Sequence, residues 1–580
     1  MKLLFRFLRP HKKLVALILL VLLIDNTGTL LVPTMMANMV NEGIASASMD
    51  HIAMGGLKML IATFMASGGA VLGCYLSSKL ASLVGRDIRC AVYDKSLELS
   101  ASDFERFGTG SMITRSLGDV NVVQQAIIMS IQMVLPVPFL CVVGIALASS
   151  IDYQMGILLA VVVVVLLGIS VVTMRKASPI FMRLQGFIDR MNVVLRENIV
   201  GVRVIRAFNK ERAEEERLDR VFSDYADNAI RVNWLFAGLD CSCFFLMNIV
   251  EVLVLWLGGD RVGAHAMEIA SISAVIEYAM MILFFVMMAQ MAMLSLPRAL
   301  ACLGRAAEVL DMEPGIRDGA AALGKGPKPA AGEPVLTVDG ASFRFDDADE
   351  DTLHEVSFAC RRGQTTAIIG STGSGKSTVT KLLLRFHDVT GGRILLGDTD
   401  VRDLTQRDLR ERVAYVPQKA WLFSGTVRDN LRYGNEDATE EEMLRALRIA
   451  QSEFVLDLPG SLDAPVAQGG TNFSGGQRQR LAIARALVKP ADLYVFDDSF
   501  SALDFKTDAA LRQAIADEMT DAALLIVAQR ISTILHADQI VVLKDGCVVG
   551  RGRHEELMET CEVYRDIAES QMKGGERDGR

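Results

Sequence analysis

The chain has little of what staples small secreted domains together. Its 580 residues hold nine cysteines, an odd number. They are scattered, and only Cys241 and Cys243 sit close, inside an apolar stretch. That excludes a disulfide framework and offers no zinc-ligand spacing, so the thiols are read as reduced. An excess of basic charge is also missing. Sixty Lys and Arg stand against 69 Asp and Glu, a formal net charge of −9, which argues against a nucleic-acid partner. The basic amino terminus runs into an apolar stretch at 14–23 with no small-residue cleavage site after it, so that stretch is read as a retained span rather than a signal peptide. Lys and Arg are absent from 39–51 and 149–154, and 258–271 carries only Arg261.

What is present divides the chain in two. Hydrophobic residues make up 51% and mean hydropathy is +0.31, yet 22% of residues are charged. A membrane half joined to a water-soluble half satisfies both facts. Apolar segments near the roughly 20 residues a bilayer requires lie at 14–32, 55–76, 127–148, 156–174, 239–257 and 272–296. Lys and Arg crowd 1–13, 79–115 and 175–231 instead. By the positive-inside rule both termini and the two long loops face the cytoplasm, and the outer connections are too short to hold a domain. The tail 1–13 reads as an interfacial helix. The long loops mix apolar residues at helical spacing with charges of both signs, which predicts that the spans run on as cytoplasmic helices ending in short contact stretches at 104–111, 112–120 and 209–217. Asp25, Asn26, Asp240, Asn248, Glu251 and Glu277 lie in or near apolar spans. Carboxylates at that depth are costly and predict a path that accepts polar or cationic groups, or else hydrogen bonds between helices. The sixth span is rich in methionine, which suits either adaptable apolar recognition or plain packing, and Pro297 predicts a kink or an exit.

Residues 311–334 read as a linker, after which short β-type runs alternate with helices. Thr366 to Ile369 reads as a buried strand. Gly370, Ser371, Thr372, Gly373, Ser374, Gly375, Lys376 and Ser377 follow in the pattern G-x-x-x-x-G-K-S, and Thr378 continues into a helix. Glycines at those places let backbone N–H groups turn toward an anion, and the helix start adds its free amides and positive dipole end. Lys376 supplies charge for the β and γ phosphates, and the Ser377 hydroxyl can ligate Mg²⁺. Phe345 ends an early strand and can stack on an adenine. Gln418 follows a strand and can reach a metal or water. Ser474, Gly475, Gly476 and Gln477 open a helix and form a second anion-binding start. An apolar strand at 493–496 ends in Asp497 and Asp498, which places a carboxylate where Mg²⁺ would bind. Gln529 stands at the tip of another buried strand, 524–528.

Together these stretches resemble one half-transporter of the ATP-binding cassette (ABC) superfamily, of the exporter type, with six spans preceding one cassette. The resemblance covers nearly all of the chain, because the phosphate loop, Gln418, Ser474–Gln477, Asp497 and Ser501–Asp504 occur in the family's order and spacing. It implies a membrane all-α six-helix bundle with cytoplasmic helical extensions (1–310), a linker (311–334) and an α/β phosphate-loop nucleotide-binding domain (335–580). It also implies ATP and Mg²⁺ as cofactors, a multi-pass position in the cell membrane, and a second half-transporter whose signature serine-glycine segment faces this chain's phosphate loop.

Two positions depart from the family pattern. The residue after the Mg²⁺-ligating aspartate is usually glutamate, and here it is Asp498. Losing a methylene retracts the carboxylate by roughly 1 Å, a displacement that can cost on the order of 10²-fold in rate. The usual histidine at the later strand tip is Gln529, whose amide cannot become cationic. With the signature Ser474–Gln477 intact, the chain resembles the degenerate-site subunit of a heterodimeric multidrug-type exporter of amphipathic or hydrophobic compounds. Its own site would bind ATP and hydrolyse it slowly, and its signature would complete the partner's competent site. A homodimer, an importer on the same fold, for example for a metal chelate, and a non-transporting ATP switch are the other readings.

Overall fold

A computed structural model describes residues 2–46, 49–320, 329–345 and 348–575. The expected connection 39–51 and linker 311–334 therefore lie partly outside the described residues. The chain forms two compact units, one of residues Met1–Glu98 and Phe107–Met312, the other of Leu99–Arg106 and Glu313–Arg580.

The first unit is all-helical. Its elements are α1 (Lys2–Leu8), α2 (Lys12–Ser46) and α3 (Met49–Glu98). A short helix α4 (Ala101–Phe107) follows, most of which clusters with the second unit. Then come α5 (Thr109–Ile113), α6 (Asp119–Met129), α7 (Pro136–Ile151) and α8 (Tyr153–Val200). The unit closes with α9 (Val202–Ala207), α10 (Glu211–Gly263) and α11 (Ile269–Leu310). Among the described residues, six stretches are long and apolar enough to cross a membrane: Lys2–Gly43, Met49–Glu98, Thr109–Ile151, Tyr153–Thr173, Glu211–Gly263 and Ile269–Leu310. Five of them contain an expected span whole, and Tyr153–Thr173 covers all but the last residue of the expected 156–174. At 1.5 Å per residue, helices of 50, 48 and 53 residues reach about 75 Å, well beyond a hydrocarbon core of about 30 Å. The expected helical extensions are these overhangs.

Small residues let two of the helices approach closely. A Cβ added to Gly28 on α2 would meet Ala66 at 3.1 Å, and one on Gly69 of α3 would meet Asp25 at 3.1 Å, the small-residue contact of membrane helix pairs. Leu140, Met155, Leu166, Val254, Tyr278 and Ile282 fill the core of the bundle. Asp152 interrupts the chain between α7 and α8, caps α8 through the Gln154 N–H, and accepts a hydrogen bond from Arg261 Nε at 2.9 Å.

Three expectations are corrected here. The connection at 39–51 is mostly helix, since α2 runs to Ser46 and α3 begins at Met49. The second short helix of the long loops is α9, Val202–Ala207, not 209–217. Gly201 ends α8, and Asn209 at φ +51° turns the chain into α10. Of the two outcomes expected at Pro297, the exit does not occur, because α11 continues past it to Leu310. The amides of Asn26 and Asn248 each donate to a carbonyl of their own helix, Leu22 and Phe244, while Asp240 and Glu277 are exposed on the unit's surface.

The second unit is α/β. Its strands and helices begin with β1 (Pro334–Phe343), β2 (Leu353–Arg361), β3 (Thr365–Gly370), α12 (Lys376–Leu383), β4 (Gly391–Leu396) and β5 (Thr399–Asp400). Next are α13 (Gln406–Arg412), β6 (Val413–Val416), β7 (Gly425–Thr426), α14 (Val427–Arg432), α15 (Glu440–Ile449) and β8 (Pro465–Val466). Then come α16 (Gly475–Val488), β9 (Leu493–Asp497), α17 (Phe505–Glu518) and β10 (Ala523–Val527). Last are β11 (Gln539–Lys544), β12 (Cys547–Gly552), α18 (His554–Thr560) and α19 (Glu562–Gly575). Six strands form a sheet in the order β12-β11-β3-β10-β9-β6, parallel except for β12. A second, antiparallel sheet has the order β2-β1-β4-β5. The central strands β3, β9 and β10 are buried along nearly their whole length, as continuous apolar strands of a parallel sheet covered on both faces should be.

Candidate nucleotide site

The register of the parallel sheet assembles the site. Ile368 pairs with Val527, Val527 with Asp497, and Val416 with Phe496. The carboxyl ends of β3, β10, β9 and β6 therefore lie side by side, the edge where open α/β sheets bind ligands. Gly370 ends β3, Asp497 ends β9 with Asp498 directly after it, Gln418 comes two residues after β6, and Gln529 two after β10.

The loop from Gly370 to α12 has the shape expected of a phosphate cradle. Gly373 and Gly375 have φ of +84° and +94°, and a Cβ at Gly375 would meet Leu353 at 2.5 Å. Glycine is needed there on both counts. Gly370 is constrained by a close approach, because a Cβ would lie 2.2 Å from the Leu543 carbonyl oxygen. Ser371, Thr372 and Gly373 are exposed, and Ser374 is buried. Lys376 is 8% exposed and folds back into the loop, donating from Nζ to the carbonyls of Gly370 at 2.8 Å and Ser371 at 2.7 Å. Burial pulls its ammonium down from the ordinary lysine value, and the nearby Asp498 and Asp497 oppose that. Such a cation, held by two neutral carbonyls and, at 3.5 Å, the Ser374 hydroxyl, gains from an anion placed over the loop.

Asp497 is 4% exposed. Its Oδ2 accepts from Thr380 Oγ1 at 3.0 Å and Tyr415 OH at 3.3 Å. Its Oδ1 is buried with no hydrogen-bond partner among the described residues. Burial pushes the carboxyl up from its ordinary range, partly offset by Thr380, Tyr415 and Ser377, while Asp498 adds to the rise. An orphaned carboxylate oxygen beside a serine hydroxyl is a donor set that suits Mg²⁺, a hard cation bound by one or two carboxylates and substrate phosphates. The residues present fit that ion, with Ser377 and Asp497 as the protein ligands.

Asp498 adopts φ +48°, and its N–H bonds the Val527 carbonyl at 2.9 Å. Two amides converge on one oxygen of its side chain: Gln418 Nε2 at 3.0 Å and Gln529 Nε2 at 2.8 Å, both to Oδ2. Gln418, expected as a metal ligand, thus turns its amide N–H to Asp498. Phe345 is half-buried, edge-on to Phe343 at 4.8 Å and to His387 at 5.4 Å.

The signature segment lies apart from this cluster. Ser474 caps α16 in a reciprocal capping box with Gln477, the Ser474 N–H donating to Gln477 Oε1 at 2.9 Å and the Gln477 N–H to Ser474 Oγ at 3.3 Å. Gly475 is open to solvent, and a Cβ at Gly476 would meet the Ala502 carbonyl at 3.5 Å. Among the described residues no hydrogen bond joins Ser474–Gln477 to the phosphate loop. Sequence reasoning missed Thr380, Tyr415 and Gln571. The first two hold Asp497, and Gln571 on α19 donates to the Gln529 carbonyl at 2.7 Å and accepts from the Ile531 N–H at 2.8 Å. A polar Thr380 four residues after Lys376, on the buried face of α12, was the one legible signal.

Comparison with known proteins agrees. The family model described as "ABC transporter transmembrane region" matches residues 15–287, and the one described as "ABC transporter" matches 353–501. An uncharacterized ABC transporter ATP-binding protein of Mycobacterium tuberculosis is 38% identical over 97% of each chain. An ATP-dependent lipid A-core flippase of Syntrophus aciditrophicus is 29% identical over 90% of this chain and 86% of its own. A bacterial Atm1-family ABC exporter solved with ATP bound shares the fold, with a TM-score of 0.80 at 22% identity over 96% of this chain and 97% of that one. The chain therefore belongs to the ABC transporter family: a multi-pass membrane protein with the exporter fold, whose ATP-binding domain is an ATPase coupled to transport.

Proposed function

We propose that this chain is the degenerate-site subunit of a heterodimeric exporter that moves amphipathic or hydrophobic compounds across the cell membrane, with both termini in the cytoplasm. One observation carries the reading: the Asp498 carboxylate, already one methylene short, is held on the same oxygen by the amides of Gln418 and Gln529. A carboxylate doubly occupied by neutral donors is poorly placed to polarise a water, and neither amide can supply positive charge to a γ-phosphate.

The roles follow residue by residue. Gly370, Ser371, Thr372, Gly373, Ser374, Gly375 and Thr378 shape the loop and helix start that take the phosphates, and Lys376 supplies the cation. Phe345 stacks on the adenine. Ser377 and Asp497, with Gln418 in reach through its carbonyl, hold Mg²⁺, which when bound neutralises phosphate charge. Thr380 and Tyr415 fix the Asp497 carboxylate. Ser474, Gly475, Gly476 and Gln477 present a capped helix start to a nucleotide on the partner subunit. The segment Leu99–Arg106 folds with the cassette unit, and Asp103 there accepts from the Gly315 N–H at 2.9 Å. We assign that segment the coupling of nucleotide state to the spans. The lipid A-core flippase among the relatives supports a lipid-like cargo.

The test is ATPase activity of the purified chain alone and mixed with its partner. Slow turnover alone and fast turnover together supports the assignment. If Asp498→Asn abolished turnover of the pair as fully as a lesion at the partner's catalytic carboxylate, the chain would hold a working site, as it would in a homodimer.

A further inference from the structure

The helical unit contains a cavity of about 710 Å³ bounded by α7, α8 and α11. That size falls within the range of about 300–1,000 Å³ typical of small-molecule sites. Its walls are mainly apolar, among them Val134, Leu167 and Met293, and among the described residues no carboxylate lines it. Val134 closes a π-helical turn, Ser130–Val134, a distortion found often at functional sites. Two polar features break the apolar lining. Gln290, 8% exposed, donates through Nε2 to Ser170 Oγ, and its Oε1 is buried without a partner among the described residues. Arg175, five residues after Ser170 on the same helix, lies at the rim, is exposed, and pairs with no carboxylate among the described residues.

An unsatisfied acceptor in an apolar cavity is costly unless a ligand donates to it. A guanidinium at the rim is always charged and favours a carboxylate or phosphate. Five helical residues set these features about 7.5 Å apart along α8, and the length of the arginine side chain widens the gap. We infer that this cavity binds a single-chain amphiphile with an anionic head at Arg175 and a hydrogen-bond donor along its chain at Gln290 Oε1. The carboxylates Asp25, Asp240, Glu251 and Glu277 are not among the residues lining this cavity. It lies within one chain and depends on neither the nucleotide site nor the heterodimer.

The experiment uses the full chain without nucleotide in phosphatidylcholine nanodiscs. Binding of three labelled probes is measured to saturation: ricinoleate, with an anionic head and an in-chain hydroxyl; oleate, which lacks the hydroxyl; and oleylamine, with a cationic head. Ricinoleate should bind about tenfold more tightly than oleate, the value of one donor to a buried acceptor, and oleylamine should not saturate. Arg175→Gln should weaken both acids by about tenfold or more, as loss of a charge-assisted pair does. Gln290→Leu should make the two acids equal. Competition by lysophosphatidylglycerol would identify a single-chain membrane phospholipid as the natural source of the anionic head, and its absence a free acid. The inference is overturned if no probe saturates, if oleylamine binds as well as the acids, or if Arg175→Gln leaves the acids unaffected. Arg175 is exposed, so that variant should fold even if Gln290→Leu does not. ATP turnover is not measured here, so a failure leaves the heterodimer reading to its own assay.

Discussion

Restoring the two altered residues should restore hydrolysis at this chain's own site. In the double variant Asp498→Glu, Gln529→His, the added methylene advances the carboxylate by roughly 1 Å, a shift of the size that changes rates by on the order of 10²-fold. The backbone at Asp498 is pinned by its N–H bond to Val527 and by φ +48°, so the carboxylate itself must move rather than the chain. Histidine removes one of the two amides that occupy Oδ2, the one at 2.8 Å, and offers a donor that can carry charge, with charge-assisted bonds about twice as strong as neutral ones. A 10²-fold gain corresponds to about 2.7 kcal/mol of barrier at 1.36 kcal/mol per decade. The assay is phosphate release at saturating MgATP from a pair whose partner has its catalytic carboxylate replaced by an amide, so that only this chain's site reports. Each single change should give part of the gain. The reasoning is refuted if the double variant stays within about twofold of the parent, a margin far below the expected effect, or if the parent chain already turns over as fast as the unaltered partner site.

Other outcomes follow from the same geometry. Asp497→Asn should stabilise the nucleotide-free protein at neutral pH by about 1–3 kcal/mol, because it removes a buried, half-satisfied charge. Since burial raises the Asp497 carboxyl in the folded state, its favourable contribution is complete below the ordinary aspartate range and lost as pH rises through the raised value. The thermal advantage of the variant should therefore shrink on acidification, and Mg²⁺ with nucleotide should stabilise only the parent. Ser474→Ala breaks the capping box of α16 and should cost about 1 kcal/mol of local stability. It should sharply lower ATPase of the pair while leaving nucleotide binding at this chain's phosphate loop intact, as read by photolabelling. Gln571→Ala should free the Gln529 carbonyl and the Ile531 N–H and speed amide exchange around 529–534, an opening eased by about 1–3 kcal/mol for the two lost bonds. Asp103→Ala removes the acceptor for the Gly315 and Ser100 N–H groups and should uncouple the pair, with ATPase retained and vesicle transport lost.

The chain's local chemistry determined much of this on its own. Apolar runs of bilayer length, their basic flanks and the glycine spacing around Lys376 are short-range patterns, and short-range patterns are what a linear sequence displays. The six spans, the helical overhangs and the strand-loop-helix at Gly370 were legible for that reason. The pairing of strands distant in sequence was not. Only the order β3-β10-β9-β6 brings Gln418 and Gln529 onto the same oxygen of Asp498, and only the burial of Asp497 leaves its Oδ1 without a partner. The same holds in the spans. Asp25, Glu251 and Glu277 drew notice because charge in an apolar run is conspicuous, whereas Gln290 passed unremarked because an amide is not. Packing decided which of them mattered: helices α7, α8 and α11 enclose Gln290 and leave Glu277 on the surface, and the rotation of one helix against its neighbours is set by contacts that no stretch of sequence contains.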